Sequence, residues 1–183
     1  TYPLRGGALV NIVAVKEQSD WAAEGWSQTD DPENLCRTFA EYTPEMRQIL
    51  AKVTHVGHWG LFRHVVAPVW HKDNTALLGD AAHPTLPFMA QGAVMAMEDA
   101  WVLASELARA SSVEAALAGY ENRRQGRVRK VVQAANGNAW KYHLSFPPLR
   151  LAAHSVLRLG STLAPRKMMQ QFDWIYRHDV TAE

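Results

Sequence analysis

The spacing of apolar and polar positions divides the chain into a strand-rich first part and a helical second part. Leu9-Val10-Asn11-Ile12-Val13-Ala14-Val15 is apolar and β-branched, and Arg5-Gly6-Gly7 before it is a turn signal, so the opening predicts a hairpin. Asp31-Pro32-Glu33 predicts a helix start, with Asp31 as cap and Pro32 at the first helical position. Leu35, Phe39 and Tyr42 form its expected buried stripe. Thr43-Pro44-Glu45 repeats the device ahead of Met46, Ile49, Leu50 and Val53. Trp59 to Phe62 and Val65-Val66 predict one or two strands. Ala76-Leu77-Leu78 predicts a short buried strand that stops at Gly79-Asp80. His83-Pro84 and Leu86-Pro87 forbid helix and impose a stiff loop. Gln91-Gly92-Ala93 then opens a segment with no breaker up to Leu107. Met97, Ala100, Trp101, Ala104, Leu107 and Ala108 recur at three- and four-residue steps, which predicts the core-facing side of a long helix.

Ser111-Ser112-Val113-Glu114 offers the next cap, with a helix through Leu117 and Tyr120. The basic run Glu121 to Lys130 predicts a solvated helix face. Pro147-Pro148 breaks the helix, and Leu149, Ala152, Ala153, Val156 and Leu159 line one side of another. Pro165 starts the last helix, with Met168, Phe172, Ile175 and Tyr176 as its stripe. Lys16 to Asp31 is polar, and its two tryptophans, Trp21 and Trp26, are expected to pack on sheet or helix.

Composition narrows the function classes. The 183 residues are 48% hydrophobic and 20% charged, a globular balance, with a net charge of +1. That charge gives no electrostatic case for nucleic acid or an anionic membrane. A single cysteine, Cys36, cannot form an internal disulfide and fits a reducing cytoplasm. His55-Val56-Gly57-His58 invites a zinc reading, but residues three apart on a strand point to opposite faces, and no metal is expected.

The chemistry concentrates between Thr75 and Leu107. An acid at a strand's carboxyl end, here Asp80, is placed to accept hydrogen bonds from the sugar or ribityl hydroxyls of a dinucleotide. Ala81 and Ala82 keep the backbone bare for a bulky ligand. The helix start at Gln91-Gly92-Ala93 presents unpaired N–H groups and the positive dipole end, suited to a negatively charged flavin edge. A strand, a proline loop and a core helix with no ligand is the alternative that these spacings leave open.

Gly79-Asp80-Ala81-Ala82-His83-Pro84, then Pro87, Ala90-Gln91-Gly92-Ala93 and Glu98-Asp99-Ala100, resembles the second FAD fingerprint of the flavoprotein aromatic monooxygenases. These form the p-hydroxybenzoate hydroxylase superfamily, and the likeness is greatest to its salicylate hydroxylase-like branch. Val94 departs from the branch, which commonly has Asn there. Tyr120 and Arg124 match a family Tyr-x-x-x-Arg segment that packs against the nucleotide domain. The resemblance implies an α+β or α/β fold, the C-terminal part of such a hydroxylase. Residues 1–73 would be the remainder of the substrate domain and 74–183 a helix-rich piece of the FAD domain. It implies FAD as cofactor, NADH or NADPH as co-substrate, and a small phenolic or carboxylate-bearing aromatic substrate. Gly79, Asp80, Ala81, Pro87, Ala90, Gln91, Gly92, Ala93 and Val94 would hold the cofactor. Tyr2, Pro3, Pro87 and Phe88 would meet substrate. A histidine such as His83 beside a flavin could act as acid or base near neutral pH, but in the resembling motif its position belongs to the loop scaffold, and no catalytic base can be named. No G-x-G-x-x-G follows a strand, so the phosphate-cradling turn is expected upstream of these residues. Separately from the resemblance, the apolar terminal helices could touch a second subunit, a homodimer contact favoured over a membrane one. The rivals are a cofactor-free packing or dimerisation piece, and a related flavoprotein epoxidase or oxidoreductase.

Overall fold

The computed structural model describes every residue except 18–24, 26, 143, 145 and 183, and the side chains of 140–142. Trp21 and Trp26 therefore lie outside the described residues, as does the Trp140 side chain. The chain forms two compact units, Thr1–Leu61 and Phe62–Glu183.

In the first unit the expected hairpin pairs β1 (Tyr2–Leu4) with β2 (Leu9–Asn11), antiparallel, with Tyr2 opposite Asn11. Its turn needs positive φ at Gly6 (66°) and Gly7 (94°), which glycine adopts without penalty. The strand stops at Asn11, short of Val15. A second ribbon pairs β3 (Thr29–Asp30) with β4 (Val56–Gly57). Helix α1 (Pro32–Thr38) starts as its sequence dictates: the Asp31 carboxylate accepts from the Glu33 N–H at 2.9 Å. Helix α2 (Pro44–Leu50) follows without a side-chain cap. Phe39 and Leu50 are buried, but Tyr42 and Ile49 are exposed, so the two stripes are buried only in part.

In the second unit the apolar stretches read as strands mostly are not strands. Among the described residues nothing forms a ladder with residues 62–70, and Val65 is exposed. β5 (His71–Lys72) and β6 (Thr75–Ala76) make a short antiparallel ribbon that ends before Leu77. Leu77 is exposed rather than core. An extended run becomes a buried strand only when neighbours take its backbone groups. Here the Leu77 N–H bonds the Trp70 carbonyl at 2.7 Å and the ladder goes no further.

Helices α3 (Gly92–Arg109) and α4 (Val113–Tyr142) form a helical hairpin. Ser112 Oγ accepts from the Ala115 N–H at 3.2 Å, the expected cap. Trp70, Ala82, Met95, Val102, Tyr120, Val128, Val131 and Val132 make the main core. This reverses the expected face of α3. Met97 is 65% exposed and Trp101 53%, and Ala100, Ala104, Leu107 and Ala108 are exposed with them. The buried side is Met95, Glu98, Asp99 and Val102. The basic run on α4 is corrected too: Arg124 is buried and Arg127 mostly so, because both meet those acids.

Helix α5 (Pro147–Leu163) begins at the proline pair, as expected, but Leu149, Val156 and Leu159 are exposed. The last predicted helix divides into α6 (Pro165–Gln170) and α7 (Asp173–Tyr176). Ile175 joins Met89 and Ala135 in a small second core, against Phe172, while Tyr176 stays largely exposed.

Candidate functional site

The turn after β6 is a 3-10 turn, Gly79–Ala81. Gly79 takes φ +59° and is buried, and the Ala82 and His83 N–H groups both bond its carbonyl at 2.9 Å. The turn is fastened from α3. Asp99 Oδ2 accepts from the Gly79 N–H at 3.1 Å and from His83 Nε2 at 2.5 Å, so one carboxylate grips both ends of Gly79–His83. His83 has no solvent exposure and lies 5.3 Å, ring to ring, from Trp70. The scaffold role expected for it is what the geometry shows.

The clamp is itself anchored. Arg124 Nε donates to Asp99 Oδ1 at 2.8 Å, and Nη2 to Glu98 Oε2 at 2.7 Å. Arg127 donates twice to Glu98, each at 2.9 Å, and to the carbonyls of Trp174 and Ile175. Two acids thus face two arginines, the pairing that buried charge requires. Burial pushes the Asp99 carboxyl up, but hydrogen bonds from His83 and Arg124 outweigh it and leave it below its ordinary 3.8. Glu98 behaves alike: burial raises it, and Arg127 and Arg124 bring it below 4.5. Burial, with the Asp99 charge, raises the Tyr120 phenol far above its usual range. Its O–H stays on and donates to the Leu77 carbonyl at 3.0 Å.

Asp80 is the opposite kind of acid. It is exposed, and no hydrogen bond or ion pair among the described residues uses its carboxylate. A Cβ built on Gly92 would sit 3.9 Å from Asp80 Oδ1 and 3.5 Å from Thr85 Cγ2. The acid therefore stands beside the first residue of α3. The loop reaches that helix through a 3-10 turn, Pro87–Met89, and then Ala90 at φ 52°, ψ 34°, a left-handed conformation rare outside glycine. Gln91 occupies the cap position, but no side chain caps the helix. The leading N–H groups of α3, Gly92 to Val94, have no partner within the helix. The Gln91 side chain is buried with Oε1 lacking any hydrogen-bond partner, and His83 Nδ1 is likewise unpartnered.

The sequence-named positions therefore sort themselves. Asp80, Gln91, Gly92, Ala93 and Val94 come together around the helix start. Gly79 is buried as the pivot, while Ala81, Pro87 and Ala90 are exposed and Phe88 half-buried. Met89, which follows Phe88, turns its side chain into the second core. Tyr2 and Pro3 lie on β1 of the other unit, where Tyr2 Oη accepts from Asn11 Nδ2. The anchors Glu98, Asp99, Arg124 and Arg127 were missed as a group. Met95, Asp99 and Val102 share helical spacing, and that was the available signal. Among the described residues no cluster of three or more His, Cys, Asp or Glu could hold a metal.

The donor set fits a flavin dinucleotide. It offers an unpartnered acid for hydroxyl groups, uncapped amides at the positive end of an 18-residue helix, and small residues around them.

Residues 2–135 match the family model described as FAD binding domain. The chain is 32% identical over 179 residues to a 3-amino-4-hydroxybenzoate 2-monooxygenase of Streptomyces platensis, covering 96% of this chain and 43% of that protein. It is 32% identical, with the same two coverages, to the 3-hydroxybenzoate 6-hydroxylase of Klebsiella oxytoca. An arginine-to-glutamine variant of HpxO from Klebsiella pneumoniae, complexed with FAD, superposes with a TM-score of 0.62 at 29% identity, over 80% of this chain and 39% of that one. A salicylate hydroxylase substrate complex gives 0.67 at 23% identity, over 90% and 39%, a likeness of fold. The chain spans less than half the length of these relatives. It belongs to the FAD binding domain family.

Proposed function

We propose that this chain supplies the flavin-cradling part of an FAD-dependent monooxygenase that hydroxylates a small phenolic or carboxylate-bearing aromatic compound with NADH or NADPH and O₂. The observation that supports it most is the unpartnered Asp80 carboxylate beside the uncapped start of α3. When bound, FAD brings the oxygen-activating chemistry that no side chain provides. This chain's residues bind and orient. Asp80 accepts hydrogen bonds from ribityl or sugar hydroxyls. The amides of Gly92, Ala93 and Val94 lie where negative charge on the ring's pyrimidine edge is stabilised. Ala81 and Ala90 present bare backbone, and Pro87 with Phe88 shapes the substrate side. The relatives' names, hydroxylases and monooxygenases of hydroxybenzoates, support the substrate class. A reducing, cytoplasmic setting fits the lone Cys36, and among the described residues no helix is long and apolar enough to cross a membrane.

The test is flavin retention, read by visible absorbance and by titration of flavin fluorescence. Asp80→Ala should weaken FAD binding by about tenfold or more, the scale of a hydrogen bond to a charged group. Undiminished FAD in the variant overturns the role of Asp80. A colourless unsubstituted protein that takes up no FAD supports the cofactor-free reading instead.

A further inference from the structure

The front of α3 is aimed by a turn that its own local bonds do not hold by themselves. Ala90 sits in the left-handed region at φ 52° without being glycine. Such a conformation is strained for a residue with a Cβ and persists only where the surroundings impose it. One local bond closes the turn, Ala90 N–H to the Pro87 carbonyl at 3.1 Å. The other restraints come from far along the chain and converge on Met89. Tyr176 Oη, 87 positions away, donates to the Met89 carbonyl at 3.1 Å. Asn138 Nδ2 on α4 donates to Met89 Sδ. The Met89 side chain is buried against Ala135 and Ile175. Immediately after this fixed residue come Ala90, the buried Gln91, and the first amides of α3.

We infer that Tyr176 is a positioning residue: from the C-terminal helix α7, its hydroxyl sets the Met89–Ala90 turn and thereby the direction of the flavin-facing amides at the start of α3. The inference rests on the flavin reading above for its functional consequence, but not for the coupling itself. Tyr176 suits such a test. The residue is 58% exposed and its ring leans edge-on against Phe172, with centroids 6.4 Å apart, so Tyr176→Phe removes the hydroxyl and leaves the packing in place. Helix α7 is held independently by Arg127, which bonds the Trp174 and Ile175 carbonyls. The variant should therefore fold and keep its C-terminal helix.

The experiment compares unsubstituted protein and Tyr176→Phe in amide hydrogen exchange, flavin affinity and flavin midpoint potential. The amides to follow are Ala90, bonded to Pro87, and Met95, bonded to the Gln91 carbonyl at 2.8 Å. Both should exchange about three- to tenfold faster in the variant, the effect of one ordinary hydrogen bond. FAD binding should weaken by a similar factor, and the midpoint potential should fall, because misaimed amides stabilise the reduced, negative ring less. Unchanged exchange at Ala90 and Met95 overturns the positioning role outright. Faster exchange with unaltered affinity and potential overturns its bearing on the cofactor. A protein that binds no flavin at all defeats the flavin reading instead, and the exchange comparison still decides whether Tyr176 sets the turn.

Discussion

The two sides of α3 invert the usual distribution of residues on a helix. The inner side carries Glu98 and Asp99 between Met95 and Val102, and the outer side carries Met97, Trp101 and Leu107. Apolar area favours burial in proportion to its size, and by that measure the outer side should have won. It did not because the facing helix presents Arg124 and Arg127. A buried acid left alone is costly, whereas one matched by an arginine and further hydrogen bonds is tolerated. Asp99 makes three such bonds, to Gly79, His83 and Arg124. The inner side is thus specific where a greasy stripe would be permissive. Only one rotation of α3 satisfies Asp99, and that rotation brings Gly92 beside Asp80.

The sharpest way to break this comparison is Asp99→Ala. It leaves Arg124, 1% exposed, without its Asp99 partner, and strips the Gly79 N–H and His83 of theirs. Removing one member of a buried ion pair costs about 3–5 kcal/mol, a large part of a domain's stability. Urea unfolding followed by circular dichroism reads it. A loss below about 1 kcal/mol, the usual effect of a surface change, would mean the inner side is not what fixes α3. The pH dependence gives a second reading of the same site. Asp99 and Glu98 titrate below their ordinary values in the folded chain. A depressed carboxylate contributes stability that is present above the unfolded value, near 3.8 for Asp, and is lost as pH falls through the lower folded value. Asp99→Asn should therefore be less stable than the unsubstituted chain at pH 7 and should lose less on acidification to pH ~3. Parallel acid limbs would assign that stability elsewhere.

A smaller effect tests how closely the turn nests on α3. Gly79 has φ +59°, and a Cβ there would approach Ala96 Cβ to 3.1 Å, closer than such contacts normally come. Gly79→Ala should cost about 1–3 kcal/mol, part backbone and part steric. Ala96→Gly in the same chain relieves the steric part alone. A double-mutant cycle should show a positive coupling that recovers some of the loss. Additive effects would mean that turn and helix are not in the contact described.

Signals local to a few residues were legible in the sequence, and those that need a partner were not. Asp31 before Pro32 capped α1, Arg5-Gly6-Gly7 turned the hairpin, and the prolines up to Pro87 delivered the chain to α3 at Gly92. Each depends on backbone chemistry within one turn. The Leu77-Leu78 and Val65-Val66 runs failed as strands because a strand is made by its neighbours, and among the described residues neither run joins a ladder. The face of α3 failed for the same reason: periodicity locates a stripe but not which stripe meets the facing helix. Of the candidate site, Asp80 and the start of α3 were legible as types at a spacing. The Asp99 clamp and the reach of Tyr176 to Met89 were not, since they join positions 16 to 87 residues apart.

The mildest change is the most diagnostic for the outer side. Trp101 is 53% exposed on α3, beside Met97 at 65%. If that side faces water in this chain, Trp101→Gln should alter unfolding free energy by no more than about 0.5 kcal/mol, the range of ordinary surface substitutions. It should also lower binding of a dye that reports exposed apolar surface, because a contiguous apolar patch attracts such probes and neighbouring molecules. Concentration-dependent sedimentation should show less self-association in the variant. The opposite result is equally informative. A loss of about 3 kcal/mol is what truncating a buried tryptophan costs. It would mean that another surface covers Trp101 in solution, and that α3 is buried on both sides, by charge within the unit and by apolar contact beyond it.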